Sequence, residues 1–254
     1  MNNMNANGPL GNSALSVILG DAGTTGTLAY TGATATSSKG FEIPAGATGV
    51  FAINPPTTAV TLTITGSLTG SGTLVKGGAN NGFIRFDADN SGFSGPIIVN
   101  SGSLGSGGNG TTLGTGTITI NGGDISGRGA ARTITNNIVV GGADVGFGTQ
   151  GNNTTFTGSL DLGGLSRIIR AGTGTTTAHL VTFAGAVSNG VSITKRSQGI
   201  LSFEGATALT GDITVEQGAV RVMGAGQLNS GTYAGNISII NPVSLTSNFT
   251  YGSS

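Results

Sequence analysis

The chain of 254 residues contains no cysteine, no tryptophan and a single histidine. Without cysteine, disulfides, thiolate chemistry and a cysteine-bound zinc site are all excluded. A Ser/His/Asp triad would have to use His179, which lies in the strand-like stretch TTTAHLVTF, away from any Gly-x-Ser-x-Gly turn. We therefore interpret His179 as a strand residue, and we expect neither enzymatic activity nor a cofactor.

Charged side chains are also scarce, making up 8% of the residues against a usual ~25%. Ten basic and ten acidic residues cancel, so no long-range field attracts nucleic acid or an anionic membrane. No apolar stretch approaches the ~20 residues of a membrane helix, and the N-terminal stretch lacks the basic start of a signal peptide. We expect no nucleic-acid partner and no membrane insertion.

Glycine is abundant, with 49 residues, and it separates short runs in which apolar residues alternate with polar ones. This pattern predicts strands and turns. Apolar–x–apolar triplets recur with first members 20, 22, 21, 20 and 19 residues apart, at Ile118–Ile120, Ile138–Val140, Leu160–Leu162, Val181–Phe183, Leu201–Phe203 and Val220–Val222. Ile97–Val99 extends the series upstream and Ile239 extends it downstream.

Such a period is long enough for one turn of three short strands, and stacked turns satisfy one another's backbone hydrogen bonds. We therefore predict an all-β solenoid with 20–22 residues per turn, in preference to a hairpin-based sandwich, which rarely keeps so regular a period. The solenoid is expected over residues 58–254. Residues 1–57, which include Pro44, Pro55 and Pro56, are expected to form an atypical N-terminal cap or assembly arm, because proline is poor in central ladders.

The stretch SITKRSQGILSFEGATALTGDITVEQGAVRV, Ser192–Val222, resembles the autotransporter-associated β-strand repeat of bacterial type V secreted passengers. The matching positions are Lys195, Gly199, Leu201–Phe203, Gly205, Gly211, Ile213–Val215, Gly218 and Val220–Val222. Leu74–Leu104 resembles the same repeat more loosely, through Lys76, Gly82, Phe86, Gly95, Ile97–Val99 and Gly102, with a first turn that is two residues longer and with Pro96 at the strand entry.

The resemblance covers about a quarter of the chain and implies a right-handed parallel β-helix in an extracellular setting. The family's membrane barrel is not in this sequence, which ends at NFTYGSS, so a passenger-like piece or a stand-alone secreted relative is expected.

Two groups of charged residues are candidate sites. Asp87 and Asp89, in FDADNSGFSG, resemble part of a calcium loop or a carboxylate pair for polysaccharide chemistry, but they occupy an ordinary turn of the repeat. We therefore favour a turn. The arginines Arg128, Arg132, Arg167 and Arg170 form either a basic strip for acidic glycans or a partner, or solvated outward charges, which we favour.

The function expected from these observations is structural. A solenoid has open strand edges at both ends, and open edges pair unless they are capped or charged. We expect a non-enzymatic protein of the bacterial surface that assembles with itself end to end, aided by Ala14, Leu15, Val17, Ile18 and Leu19. The alternatives are a monomeric adhesin or passenger stalk that binds a host surface or glycan, and a polysaccharide-acting enzyme.

Overall fold

A computed structural model describes residues 10, 14–55, 60–78, 82–172, 179–224, 226–240 and 248–251. Parallel strands stack as a β-solenoid of about nine turns, with about 22 residues in each turn. Among these residues, helical structure is limited to the short 3₁₀ turns Thr111–Leu113 and Asn229–Gly231. The predicted all-β parallel solenoid is thus confirmed. The chain divides into two compact units, Met1–Thr119 and Ile120–Ser254.

The first unit is built from three parallel sheets, with orders β1-β4-β7, β2-β5-β8-β10-β12 and β3-β6-β9-β11. Its strands are β1 (Val17–Ile18), β2 (Thr25–Tyr30), β3 (Ala35–Ser37), β4 (Phe41–Ile43), β5 (Thr48–Ile53), β6 (Thr61–Ile64), β7 (Leu68–Gly70), β8 (Thr73–Gly77), β9 (Phe83–Phe86), β10 (Ile97–Val99), β11 (Ser103–Ser106) and β12 (Ile118–Ile120), which lies at the boundary.

The second unit also has three parallel sheets, with orders β13-β16-β19-β22-β25-β27, β14-β17-β20-β23-β26-β28 and β15-β18-β21-β24. Its strands are β13 (Asp124–Gly127), β14 (Arg132–Ile134), β15 (Ile138–Val140), β16 (Asp144–Phe147), β17 (Thr154–Phe156), β18 (Leu160–Asp161), β19 (Arg167–Ala171), β20 (Leu180–Phe183), β21 (Val187–Gly190), β22 (Ile193–Arg196), β23 (Ile200–Phe203), β24 (Thr207–Leu209), β25 (Ile213–Val215), β26 (Ala219–Val222), β27 (Ile237–Ile239) and β28 (Asn248–Tyr251).

Alternation decides which side chains enter the core. In β5, which reads TGVFAI, Phe51 and Ile53 are buried while Val50 and Ala52 remain partly exposed. Because each turn lies over the next in register, inward residues form columns. Phe156, Phe183 and Phe203 follow one another in β17, β20 and β23, with ring centroids 5.1 and 6.2 Å apart and interplanar angles of 20° and 22°. The apolar core of the second unit therefore includes a continuous aromatic stack.

The predicted division at residue 57 falls among residues 56–59, outside the described part of the chain. On its N-terminal side, β5 pairs in parallel with both β2 and β8. Residues Thr25–Tyr30 and Thr48–Ile53 therefore take part in the same ladder as Thr73–Gly77, which lies beyond the division.

Every apolar triplet of the sequence contributes to a strand, but the triplets do not all lie in one sheet. Leu160 begins β18, whereas Val181 lies in β20, which belongs to another sheet. The residue that actually pairs with Leu160 is Val187, 27 residues later. One turn is therefore longer than the regular spacing of triplets predicts.

Glycines at one corner of the turns form a column of close backbone contacts. A Cβ atom placed on Gly95 would overlap the carbonyl oxygen of Gly72, and one placed on Gly116 would overlap that of Gly95. None of these three glycines has a positive φ. Here glycine is required by the close approach of neighbouring turns, not by an unusual backbone angle.

Gly95→Ala should therefore lower the free energy of unfolding by ~1–3 kcal/mol, because the ladder must shift to admit the methyl group. Gly77→Ala is the matched control, since a Cβ at Gly77 meets nothing within 4 Å and should change stability by less than ~0.5 kcal/mol. Urea denaturation of both variants measures the difference. Equal stabilities would contradict the close-contact explanation.

Candidate functional site

Four ion pairs join outward charged side chains of the described residues. Ion pairs join Arg85 to Asp87 at 2.5 Å, Arg170 to Asp144 at 2.7 Å, Arg196 to Glu216 at 2.6 Å and Arg221 to Glu204 at 3.2 Å. The hydrogen bond from Arg196 to Glu216 also raises the pKa of the arginine. Such exposed pairs each contribute only ~0–1 kcal/mol, but each of them neutralises one basic and one acidic side chain.

The four candidate arginines do not form one exposed strip. Arg128 donates to the side chain of Gln150 at 2.8 Å, and Arg132 donates through Nε to the carbonyl of Arg128 at 3.3 Å. Arg170 binds Asp144 and also donates to the carbonyl of Gly123 at 3.2 Å. Three of the four candidates are thus solvent-accessible in part, and each already has a partner within the second unit.

Arg167 differs, because it is only 5% exposed. Its Nε donates to the carbonyl of Leu162 at 2.8 Å and its Nη2 to that of Val140 at 2.7 Å. Its Nη1 donates to the carbonyls of Gly141 and Gly142. All three nitrogens are therefore used to satisfy a buried corner of the backbone, and Arg167 does not belong to a ligand-binding strip.

Replacing Arg167 by alanine should destabilise the protein by ~2–4 kcal/mol, because the carbonyl oxygens that it satisfies would stay buried without a donor. Arg128→Ala, at the partly exposed position, should cost less than ~1 kcal/mol. Chemical denaturation of the two variants tests this. Similar losses would show that Arg167 has no special structural role.

Asp87 and Asp89 follow β9, but they have different partners. Asp87 accepts from Arg85, whereas Asp89 accepts from the Thr111 hydroxyl at 2.6 Å and from the Ser91 amide at 3.0 Å. These bonds, that of Thr111 first, lower the pKa of Asp89. Among the described residues no group of three or more His, Asp or Glu side chains is placed to hold a metal ion. Asp87 is therefore a local hydrogen-bond acceptor, whereas Asp89 also connects its loop to Thr111, 22 residues later.

His179 immediately precedes β20, and its backbone carbonyl accepts from the Ile200 amide at 2.9 Å. The backbone around His179 is thus part of a ladder contact, as expected for a residue next to a strand. A cleft nearby in the sequence is lined by small side chains without charged or aromatic groups: Ala186, Val187, Ala206, Thr207, Ala208, Asn229 and Ser230. This lining offers no acid or base for catalysis.

The proposed assembly segment, Ala14–Leu19, lies in the first turn. Val17 and Ile18 form β1 and pair in parallel with Phe41 and Glu42 of β4, while Leu19 is buried. Ala14 is exposed, and Leu15 and Ile18 are 78% and 62% exposed. The Leu15 carbonyl accepts from Lys39 Nζ at 3.3 Å. The segment therefore combines an edge strand with exposed apolar side chains.

Two buried lysines are the residues whose role the sequence did not reveal. Lys76 and Lys195 are 1% and 0% exposed, and they hold equivalent places in the two repeat copies. Lys76 Nζ donates to the carbonyls of Gly77 at 2.7 Å and Ser101 at 3.0 Å. Lys195 Nζ donates to those of Arg196, Ser197 and Gln217, at 2.9, 2.5 and 3.1 Å.

In both copies the ammonium group reaches the next turn just before a corner glycine. Ser101 precedes Gly102 and Gln217 precedes Gly218, and both glycines have a φ of 69°. The lysine and glycine of the repeat motif therefore act as one unit that fastens the corner of the following turn. The shared motif marked these lysines, but only the structure shows that they point inward.

Burial opposes the charge on these amines. It lowers the pKa of Lys195 from 10.5 to about 7 and that of Lys76 to about 8. Because the unfolded chain then binds more protons than the folded one, the free energy of unfolding should rise as the pH increases from about 7 towards 10.5. Below about 7 the full cost of a buried ammonium is present.

Lys195→Met should flatten this pH dependence, since methionine fills similar space without titrating. We expect the free energy of unfolding of the wild type to increase more steeply than that of Lys195→Met between neutral pH and pH 10. Denaturant titrations of both proteins at a series of pH values provide the measurement. Parallel curves would mean that Lys195 keeps its charge throughout.

The last described turn leaves inward positions uncovered. Ile237 and Ile239 of β27 pair with Ile213 and Val215 of β25, which are fully buried. Ile237 and Ile239 are nevertheless 39% and 49% exposed, and the adjacent Ile240 is 50% exposed. An apolar patch therefore lies at the edge where β27 ends its sheet.

No helix in the described part of the chain is long and apolar enough to cross a membrane. Comparison with protein-family models, with curated proteins and with solved structures found no match to this chain. The β-solenoid of repeating turns is therefore what the structure itself establishes.

Proposed function

We propose that this chain is a non-enzymatic structural protein of the bacterial surface that assembles end to end into a filament or surface layer. The observation that carries the proposal is the exposure of Ile237 and Ile239. The residues with which they pair in the preceding turn, Ile213 and Val215, are buried in the core. A further turn supplied by another copy would bury Ile237 and Ile239 in the same way.

The first turn offers a compatible surface. The strands β1, β2 and β3 each stand at the end of their sheet, with one neighbouring strand among the described residues. All strand pairings among the described residues are parallel, so the first turn of one copy has the strand direction needed to continue the ladder of another copy's last turn. Such a head-to-tail contact does not close on itself and yields a filament. Exposed Leu15 and Ile18 add apolar area near this edge.

The extracellular setting rests on the resemblance of Ser192–Val222 and Leu74–Leu104 to the autotransporter-associated repeat. The common geometry of Lys76 and Lys195 supports treating the two stretches as copies of one motif. The scarcity of charge also suits a stacked protein, because like charges repeated every ~5 Å along a ladder would repel. Among the described residues, Asp87 and Asp89 accept hydrogen bonds from different partners and Arg167 is buried, so these candidates lend no support to the enzyme or glycan-binding alternatives.

Ile239→Asp should prevent elongation, because a carboxylate would be buried without a partner at the contact. We expect the critical concentration for assembly to rise at least about tenfold, since the cost exceeds ~1.4 kcal/mol. Sedimentation across a concentration series, with negative-stain imaging, measures it.

Ser238→Asp is the matched control, because Ser238 is exposed on the same strand and pairs with outward Thr214. It should assemble like the wild type. A wild-type protein that remains a monodisperse monomer at high concentration would overturn the proposal and favour a single stalk.

A further inference from the structure

A regular, uncharged face occupies the outer side of one sheet in the first unit. We call it the Thr/Val/Ala face. In register across β2, β5 and β8, Thr25 meets Thr48 and Thr73, Thr27 meets Val50 and Val75, and Ala29 meets Ala52 and Gly77. Ile98 of β10 extends the middle row, because it pairs with Val75. All of these residues are at least partly exposed.

The face differs from its neighbours in charge. Lys76 is the charged residue of β8, and its side chain points inward to backbone carbonyls. In contrast, the adjacent sheets carry outward charges, with Glu42 on β4 and Arg85 on β9. The Thr/Val/Ala face is thus a repeated pattern of methyl and hydroxyl groups without an ionic group within it.

Proteins usually interrupt exposed uncharged rows of β-branched residues with charge, because exposed apolar rows favour association. A contact between identical faces related by a two-fold axis sets each residue against the same set of residues. Any charge near the axis would then oppose its own copy. The absence of charge from this face fits a surface that meets itself.

We propose that the Thr/Val/Ala face pairs with the same face of a second copy, so that assembled filaments associate side by side. This inference rests on the proposed end-to-end assembly. The opposed rows of Thr, Val and Ala exclude water between the two sheets, as in other sheet-on-sheet contacts.

The size of the face explains why filaments, and not single copies, would pair. The strands β2, β5, β8 and β10 have six, six, five and three residues; at ~3.3 Å per residue and ~4.8 Å between strands they give roughly 320 Å² per copy. That is less than half of the ~800 Å² per partner in a stable complex. Copies joined end to end present many such faces in a row, and linked weak contacts add up.

The first test compares two charge substitutions by electron microscopy. Val50→Lys, at the centre of the face, should give filaments of single width, while the wild type forms paired or bundled filaments. Thr69→Lys is the matched control, because Thr69 lies outside the face, on the end strand β7 of another sheet, where it is partly exposed and next to Glu42. It should bundle like the wild type. Equal bundling of Val50→Lys, or equal loss in the control, would overturn the inference.

The second test separates the lateral contact from end-to-end assembly. Because the chain has no cysteine, Val50→Cys and Thr69→Cys each introduce a single thiol for a bismaleimide that spans the ~10 Å between facing sheets. Val50→Cys should give a severalfold higher yield of cross-linked dimer.

The two tests also distinguish the two proposals. If the wild type forms filaments of single width and the Val50→Cys and Thr69→Cys variants cross-link equally, the lateral contact is contradicted but the proposed function is not. If Val50→Cys cross-links preferentially but no filaments form, end-to-end assembly is contradicted but the lateral contact is not.

Discussion

The parallel hydrogen-bonded ladder between successive turns is the constraint on which the rest of this structure depends. It fixes the distance between turns at about 4.8 Å and places each residue directly over a counterpart. Side chains that tolerate their own kind at that distance are therefore favoured, as in the stack of Phe156, Phe183 and Phe203. Glycine is needed wherever a corner brings two backbones together, as at Gly95 over Gly72.

The same ladder explains how buried cations are accommodated. Corners between strands leave carbonyl oxygens without ladder partners, and a buried carbonyl needs a donor. Arg167 supplies donors to one such corner and Lys195 to another. Each cation is desolvated, but its hydrogen bonds to backbone dipoles offset part of that cost. Their structural role also removes these positive charges from the set that a ligand can reach.

The repeating spacing in the sequence was sufficient to predict the strands and the fold class, because ladder positions must recur. It was not sufficient to assign strands to sheets. The step from Leu160 to Val181 looks like one regular turn, but Leu160 pairs with Val187. Because this turn is longer, the next evenly spaced triplet falls in a different sheet. The alternation of apolar and polar residues does not show to which sheet a strand belongs.

The candidate sites were harder to predict for a related reason. A basic residue in an alternating strand is expected to point outward, and nothing within the strand shows otherwise for Arg167. Its burial depends on the carbonyl oxygens of Val140 and Gly141, about one turn earlier in the chain. The lysines were recognisable as part of a motif, yet their acceptors Ser101 and Gln217 lie 25 and 22 residues away. Contacts between turns are invisible to any pattern confined to one strand.

The two repeat copies show what the motif encodes. Lys76 lies in β8 and Lys195 lies in β22, and these two strands belong to different sheets. A motif that must occupy a particular side for binding would stay in one sheet, whereas a lysine that fastens the next turn works equally in either sheet. The motif thus serves the ladder itself, and recognition is better sought on surfaces outside it, at the uncovered edge of β27 and on the uncharged face of β2, β5 and β8.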